Sequence, residues 1–264
     1  MTSPFRTARR VAIVAMGASH ADYVLHSAAA GGRHALFDEV WAINAMGGTI
    51  DCDLVFAMDQ PAYLKAKGET EGEMAGYAAW LRKIRVPVLT TKPDREICPM
   101  SEEYPLEAVL EKLPYAYFDN TVAYAVAYAI ASGTVEQLSL YGCDFTYPDQ
   151  HVSERGRACV EFLLGQAVAR GMLIGTARSS TLLNASGGPR FYGYNGGVTV
   201  EPDGRVTLDR DKIGMEPWGA AAQAGTAPAA AGTAPAARRA RRVSRGRGAP
   251  VPASAASPAP AGEA

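Results

Sequence analysis

Asn120 through Gly142 constrains the fold more than any other stretch. Asn120-Thr121-Val-Ala-Tyr-Ala-Val-Ala-Tyr-Ala-Ile-Ala-Ser-Gly133 is apolar on nearly every side and closes on a glycine, the pattern of a buried helix. Four residues later Gln137-Leu-Ser-Leu-Tyr-Gly142 reads as a short interior strand. An apolar helix and an apolar strand so close together need a sheet covered by helices. Open sheets of that kind bind ligands just past the carboxyl ends of their strands. Gly142, Cys143, Asp144, Phe145, Tyr147 and His151 follow such an end and take the most site-like position in the chain.

The same alternation runs through the rest of the body. Val11–Ala15, Glu39–Asn44, Asp53–Asp59, Val86–Thr90 and Gly171–Gly175 read as strands, and Pro87 marks the fourth as close to a sheet edge. Helical patterns cover Ala21–Ala30, Gly72–Arg85, Leu106–Leu113 and the run after His151. The expected architecture is α/β: a Rossmann-like, mostly parallel sheet with helices on both faces. Gly196–Leu208, with alternating residues about an Asp-Gly pair, adds a C-terminal β-hairpin.

Composition separates a body from a tail. Of 264 residues, 48% are hydrophobic, enough for one sizeable core, but residues 219–264 lack large apolar side chains. The reading is a single domain over 1–218 and a disordered Ala/Pro/Arg-rich tail over 219–264. Against a whole-chain charge of −1, the tail's six arginines and single Glu263 give +5 and leave −6 on the body. Arg238, Arg239, Arg241, Arg242, Arg245 and Arg247 form a basic patch suited to a polyanion such as DNA, or to solubility and assembly. Four cysteines without metal-ligand spacing, no secretory leader and no apolar run of membrane-spanning length point to a reduced, cytoplasmic setting.

Each candidate residue carries two readings. The loop Gly17-Ala18-Ser19 after the first strand presents backbone amides to a phosphate at a helix start, or is a plain turn capped by Ser19. Ala15 stands where a glycine-rich dinucleotide fingerprint has its first glycine. Asn44 and Asp59 emerge at the same sheet edge. Asp144 orients a hydroxyl or a base, or caps a turn. His151, at the head of a helix, is of the residue type that serves as a general base at neutral pH, or is structural. Tyr147 supplies a hydroxyl to a leaving phosphate or covers the strand end; Arg155 and Arg157 bind an anion or face solvent. His20, His26 and His34 lack partners at zinc spacing and read as surface or packing residues, and no metal site follows from spacing.

Gly-Ala-Ser19 after the first strand, Ala-Ile-Asn44 after the second, Asn120-Thr121 opening an Ala-rich helix, Leu-Tyr-Gly142-Cys-Asp144-Phe, and His151 before Val160-Glu161-Phe-Leu together resemble the bacterial sialyltransferases that modify lipooligosaccharides. The looser Gly-x-Ser and Gly-x-Asp pattern also resembles the archaeal 6-hydroxymethylpterin diphosphokinase-like family and a set of phage-borne proteins. The resemblance spans about residues 11–184 and implies a Rossmann-like nucleotide-binding fold. It implies Gly17 and Ser19 near the nucleotide phosphate, Asn44 and Asp59 in a nucleotide-sugar pocket, Asn120, Thr121 and Gly142 at the nucleotide, His151 as general base and Tyr147 assisting phosphate departure. The chain departs from the pattern at Ala15, at Asn120-Thr121 in place of a Thr-Ser-Gly motif, and in the six residues between Asp144 and His151, where those enzymes carry a long acceptor-covering segment.

The expected function is a nucleotide-dependent group transferase, most like a glycosyltransferase, with a nucleotide or nucleotide-sugar co-substrate, no permanently bound cofactor, and magnesium dependence left open. The alternatives are a phage DNA-modifying transferase that uses the arginine tail, acting in the host cytoplasm, a pterin diphosphokinase-like enzyme, and a nucleotide-binding protein without catalysis.

Overall fold

In the computed structural model, residues 3–70, 75–115, 117–187, 191, 193–194, 196–201 and 205–213 are described. The tail and its arginines lie outside them.

Seven strands form one wholly parallel sheet: β1 (Arg10–Val14), β2 (Glu39–Ile43), β3 (Leu54–Phe56), β4 (Val88–Thr90), β5 (Ser101–Glu103), β6 (Gln137–Tyr141) and β7 (Leu173–Thr176). Their spatial order is β5-β4-β3-β2-β1-β6-β7. The chain steps outward from β1 to β5, crosses back to the other side of β1, and continues to β7. The switch point therefore lies between β1 and β6, where carboxyl ends of neighbouring strands diverge into different connections.

The helices are α1 (His20–Ala29), α2 (Arg33–Leu36), α3 (Pro61–Thr70), α4 (Ala75–Leu81), α5 (Leu106–Lys112), α6 (Thr121–Ser132) and α7 (Gln150–Ala169). Alternating strand residues divide the core in two. Val11, Ile13, Trp41, Ile43, Phe56, Leu138 and Leu140 pack with α5, α6 and α7. Ala12, Val14, Val40, Ala42, Val55 and Tyr141 pack with Tyr23 of α1, Leu64 of α3 and Leu81 of α4 on the other face. The Ala-rich α6 is buried from Val122 to Ala131 except at Tyr124, and Gly133 ends it with a left-handed φ of 70°. Small side chains let this helix lie close to the sheet and to α7.

Among the elements not legible were α2, a single turn where a loop was expected at His34, and β5 and α3. β5 reads Ser-Glu-Glu, with both glutamates exposed, so no apolar run marks it. Because β5 pairs outside β4, Pro87 sits one strand in from the edge. The proline is tolerated because it precedes the first residue of β4: its carbonyl accepts from Val55, while Val88 supplies the bond to Met100. In α3, Pro61 and Leu64 are its buried residues among those whose burial is described, too few for a helical period; Pro61 at the first helical position was the available signal. The expected 72–85 helix is the shorter α4. Val198–Val200 (β8) and Val206–Leu208 (β9) form the expected antiparallel hairpin, Val200 opposite Val206, and residues 202–204 of its turn lie outside the described set.

Candidate functional site

At the switch point the loops after β1 and β6 are joined backbone to backbone. Ala15 N–H donates to the Tyr141 carbonyl at 2.8 Å and Gly17 N–H to the Gly142 carbonyl at 2.8 Å. Both glycines are required by this approach. A Cβ on Gly142, which has φ 67°, would lie 2.0 Å from the Ala15 carbonyl oxygen, and one on Gly17 would lie 2.5 Å from that of Gly142.

Ser19 and Asp144 lock this crossing. Ser19 is 1% and Asp144 5% exposed. The Ser19 amide donates to Asp144 Oδ2 at 2.8 Å, its hydroxyl donates to Oδ1, and the hydroxyl oxygen accepts from Gly142 N–H at 2.8 Å. Thr181 Oγ1, from the segment after β7, donates to the Asp144 carbonyl. The Gly17 and Ser19 amides, expected to face a phosphate, are taken up by Gly142 and by the Asp144 carboxylate, so a protein side chain already holds the anion position there. Ser19 makes no side-chain cap bond to α1 either.

A cavity of about 340 Å³ opens beside this lock. Its walls come from four places: Ala15–Gly17 after β1, Ile43 and Asn44 at the end of β2, Asn120–Val122 at the start of α6, and Gly142–Tyr147 after β6. Two wall residues hold left-handed backbone without being glycine, Asn44 with φ 51° and Phe145 with φ 50°. Such backbone costs about 1 kcal/mol or more and is kept where surrounding packing fixes it. Phe145 is fixed against α7, where a Cβ on Gly156 would meet its ring at 3.0 Å.

The start of α6 faces this cavity with donors to spare. Asn120 caps the helix, its Oδ1 accepting from Ala123 N–H at 3.0 Å, while its Nδ2 donates to the Gly156 carbonyl of α7 at 3.0 Å. Its amide is thus occupied at both ends. The amides of Thr121 and Val122 are first-turn groups without intrahelical acceptors, and the Thr121 hydroxyl has no partner among the described residues. Three donors at the positive end of a 12-residue helix suit an anionic group.

The remaining expected residues stand at or outside the rim. Tyr147 lines the cavity yet is 58% exposed, and its backbone is clamped to α7 by Ser153, whose Oγ accepts from Tyr147 N–H at 2.8 Å and donates to its carbonyl at 3.2 Å. Asp149 caps α7 by accepting from the His151 and Val152 amides. His151 is exposed on that first turn and is not part of the cavity wall. Asp59 is exposed past β3 on the same sheet edge, also outside the wall. Arg155 pairs with Asp119 at 2.7 Å. Sequence reasoning missed Asp149 and Ser153; an aspartate just before an apolar-periodic run was the sign of the cap.

Behind the wall, burial pushes the Cys143 thiol up, and the neighbouring Asp144 adds to the effect. Tyr141 is raised by burial and then by Asp22. Among the described residues no helix is long and apolar enough to cross a membrane.

No family model and no curated protein matches the chain. Among solved structures it is similar to the sialyltransferase CstII from Campylobacter jejuni, described in complex with a substrate analogue, cytidine-5′-monophosphate. The two share 14% identity over 66% of this chain and 82% of that one, with a TM-score of 0.37.

Proposed function

We propose that the switch-point cavity binds the nucleotide part of a nucleotide-linked donor, and that the protein is a group transferase of the glycosyltransferase kind. One observation carries the reading: the unpartnered Thr121 hydroxyl and the Thr121 and Val122 amides stand at the mouth of α6, in the crevice where an open parallel sheet takes its ligand. In this reading they hold the phosphate. Gly17, Gly142 and Asn44 line the nucleotide, and Asp59 takes the part of the donor that extends along the sheet edge. Ser19, Asp144 and Asn120 act as positioning residues, because their polar atoms are spent on the protein itself.

The chemistry then needs little more than placement. An acceptor hydroxyl arriving from solvent meets Tyr147 and the exposed His151. His151 takes the hydroxyl proton as the oxygen bonds to the transferred carbon. The bond from that carbon to the phosphate oxygen breaks, and the nucleotide leaves with the electron pair and its charge held at α6. Tyr147 donates a hydrogen bond to the departing phosphate.

Thermal unfolding against CMP, CDP, UDP, ATP and CMP-sialic acid, with and without Mg²⁺, tests the reading, because a ligand that binds the folded state raises its melting temperature. Selective stabilisation by cytidine nucleotides that disappears in Thr121→Val is expected. Stabilisation by ATP alone moves the assignment to the diphosphokinase-like chemistry. No response to any nucleotide refutes the donor site.

A further inference from the structure

The strand that ends at the switch-point cavity carries a second set of polar groups on its opposite face. Leu138 and Leu140 of β6 are buried toward α6 and α7. Gln137, Ser139 and Tyr141 alternate with them and point to the α1 side. An interior strand of a parallel sheet ordinarily reads apolar on both faces. Here three successive residues of one face end in polar groups that the protein leaves almost unused. Ser139 is 7% exposed and its hydroxyl has no partner among the described residues. The Gln137 amide likewise has none. The Tyr141 hydroxyl meets only His26 Nδ1, at 3.4 Å.

These groups line a cavity of about 480 Å³, within the range of small-molecule sites. Its other wall is Ala29 at the end of α1 and Ala30 after it, with Leu36 at the end of α2 and Phe37 after it. β7 places Gly175 in register with Ser139, where a Cβ would come within 3.1 Å of the Ser139 hydroxyl oxygen.

We propose that this cavity binds an uncharged ring compound bearing several hydroxyl groups, of the class of a neutral monosaccharide. Its polar wall supplies an amide, two hydroxyls and an imidazole, each able to bond a hydroxyl. Among the described residues no carboxylate, ammonium or guanidinium lines it, so a charged ligand finds no fixed counter-ion there. The opposing wall is aliphatic and matches the C–H face of such a ring. Phe37 offers little surface to a flat base, being 3% exposed and turned against Tyr23 and Tyr141, which leaves the His26 imidazole as the exposed ring of the lining. The site is on the face of β6 opposite α6 and does not depend on the donor reading above.

Amide-resolved NMR titration of the full chain with glucose, galactose and mannose tests the proposal, with glucosamine, glucuronate and adenosine as comparisons. The expected result is saturable shifts at residues 137–141 and 26–30 with a neutral sugar. Affinity falls about tenfold in Ser139→Ala and in Gln137→Ala, the latter a partly exposed position whose replacement leaves the core untouched. Gly175→Val, which crowds the Ser139 hydroxyl from β7, weakens the shifts. Absence of saturable shifts with every neutral sugar overturns the proposal, as does binding that is unchanged in both polar variants. Response to adenosine or to the charged sugars alone overturns the ligand class.

Discussion

Ser19 and Asp144, 125 residues apart in sequence, meet through two hydrogen bonds, amide to Oδ2 and hydroxyl to Oδ1, and so hold the first strand's loop onto the sixth strand's. Hydrogen bonds to a charged acceptor contribute about 1.5–3 kcal/mol each, and an unmatched buried donor costs as much again. Asp144→Ala is expected to lower the unfolding free energy by roughly 2–4 kcal/mol and Ser19→Ala by roughly 1–2 kcal/mol in urea denaturation. Because both variants remove one interaction, their double mutant should cost less than the sum. Additive losses would show that the two side chains stabilise separate things.

Gly142→Ala should be the most damaging small substitution at the site. The added Cβ meets a backbone oxygen, Ala15 O, that cannot rotate away, at a φ favoured by glycine. A loss of about 3 kcal/mol or more is expected, read as reduced soluble yield and a lowered melting temperature. In contrast, Gly156→Ala presses on the Phe145 ring, which can shift, and should cost less.

His151→Ala is expected to leave stability within about 0.5 kcal/mol of wild type, since the side chain is exposed and its helix is capped by Asp149 through backbone amides. Under the transferase reading it reduces turnover by roughly 10²-fold or more while nucleotide stabilisation persists. Full activity in this variant would remove His151 from the mechanism.

All four cysteines are buried and unpaired. Burial, helped by Asp53, pushes the Cys52 thiol up to about 11, and burial raises Cys98, Cys143 and Cys159 as well. The thiolate is the reactive form, so an alkylating reagent at mildly alkaline pH should leave the folded protein unmodified and label all four sites once it unfolds. Mass spectrometry of the intact chain reads this directly; rapid labelling of Cys52 in the folded protein would contradict its burial.

Asp38 connects folding to acid. The Arg10 amide and guanidinium, together with the Arg9 amide, hold its carboxyl below the usual carboxylate range. The ionised form is therefore favoured in the folded state. Its contribution is full above the unfolded value of about 4 and is lost as pH falls through the lower folded value. Asp38→Asn should destabilise the protein at neutral pH and flatten the decline below about pH 4. The effect is small because Asp38 and Arg10 are each at least a third exposed.

What could be read from the sequence follows from how each element is stabilised. β1, β2 and β6 are interior, and the apolar residues that fill most of their positions made the fold class visible. Asn120 and Gly133 bracket α6 by local cap chemistry, which is written in single residues. β5 and α3 owe their existence to tertiary pairing of polar or mixed segments and left no periodic trace. At the site, the shared sheet edge of residues 17, 44 and 144 followed from strand-end logic, whereas Thr121 at the head of α6 came only from the family resemblance. The consumption of the Ser19 and Gly17 amides by residues more than a hundred positions away followed from neither, because sequence shows donors and acceptors without showing which are already taken.

The single side chain of Asn120 binds α6 with its oxygen and α7 with its nitrogen, so the two helices that flank the cavity share one fixed spacing. Widening the cavity by parting them would break both bonds at once. In the transferase reading a ligand passes the wholly exposed stretch Thr146–Gln150, while the donors at the head of α6 keep their geometry. A ligand arriving there meets a cradle whose ordering entropy was spent when the chain folded, so preorganisation is set by one amide rather than by closure around the ligand.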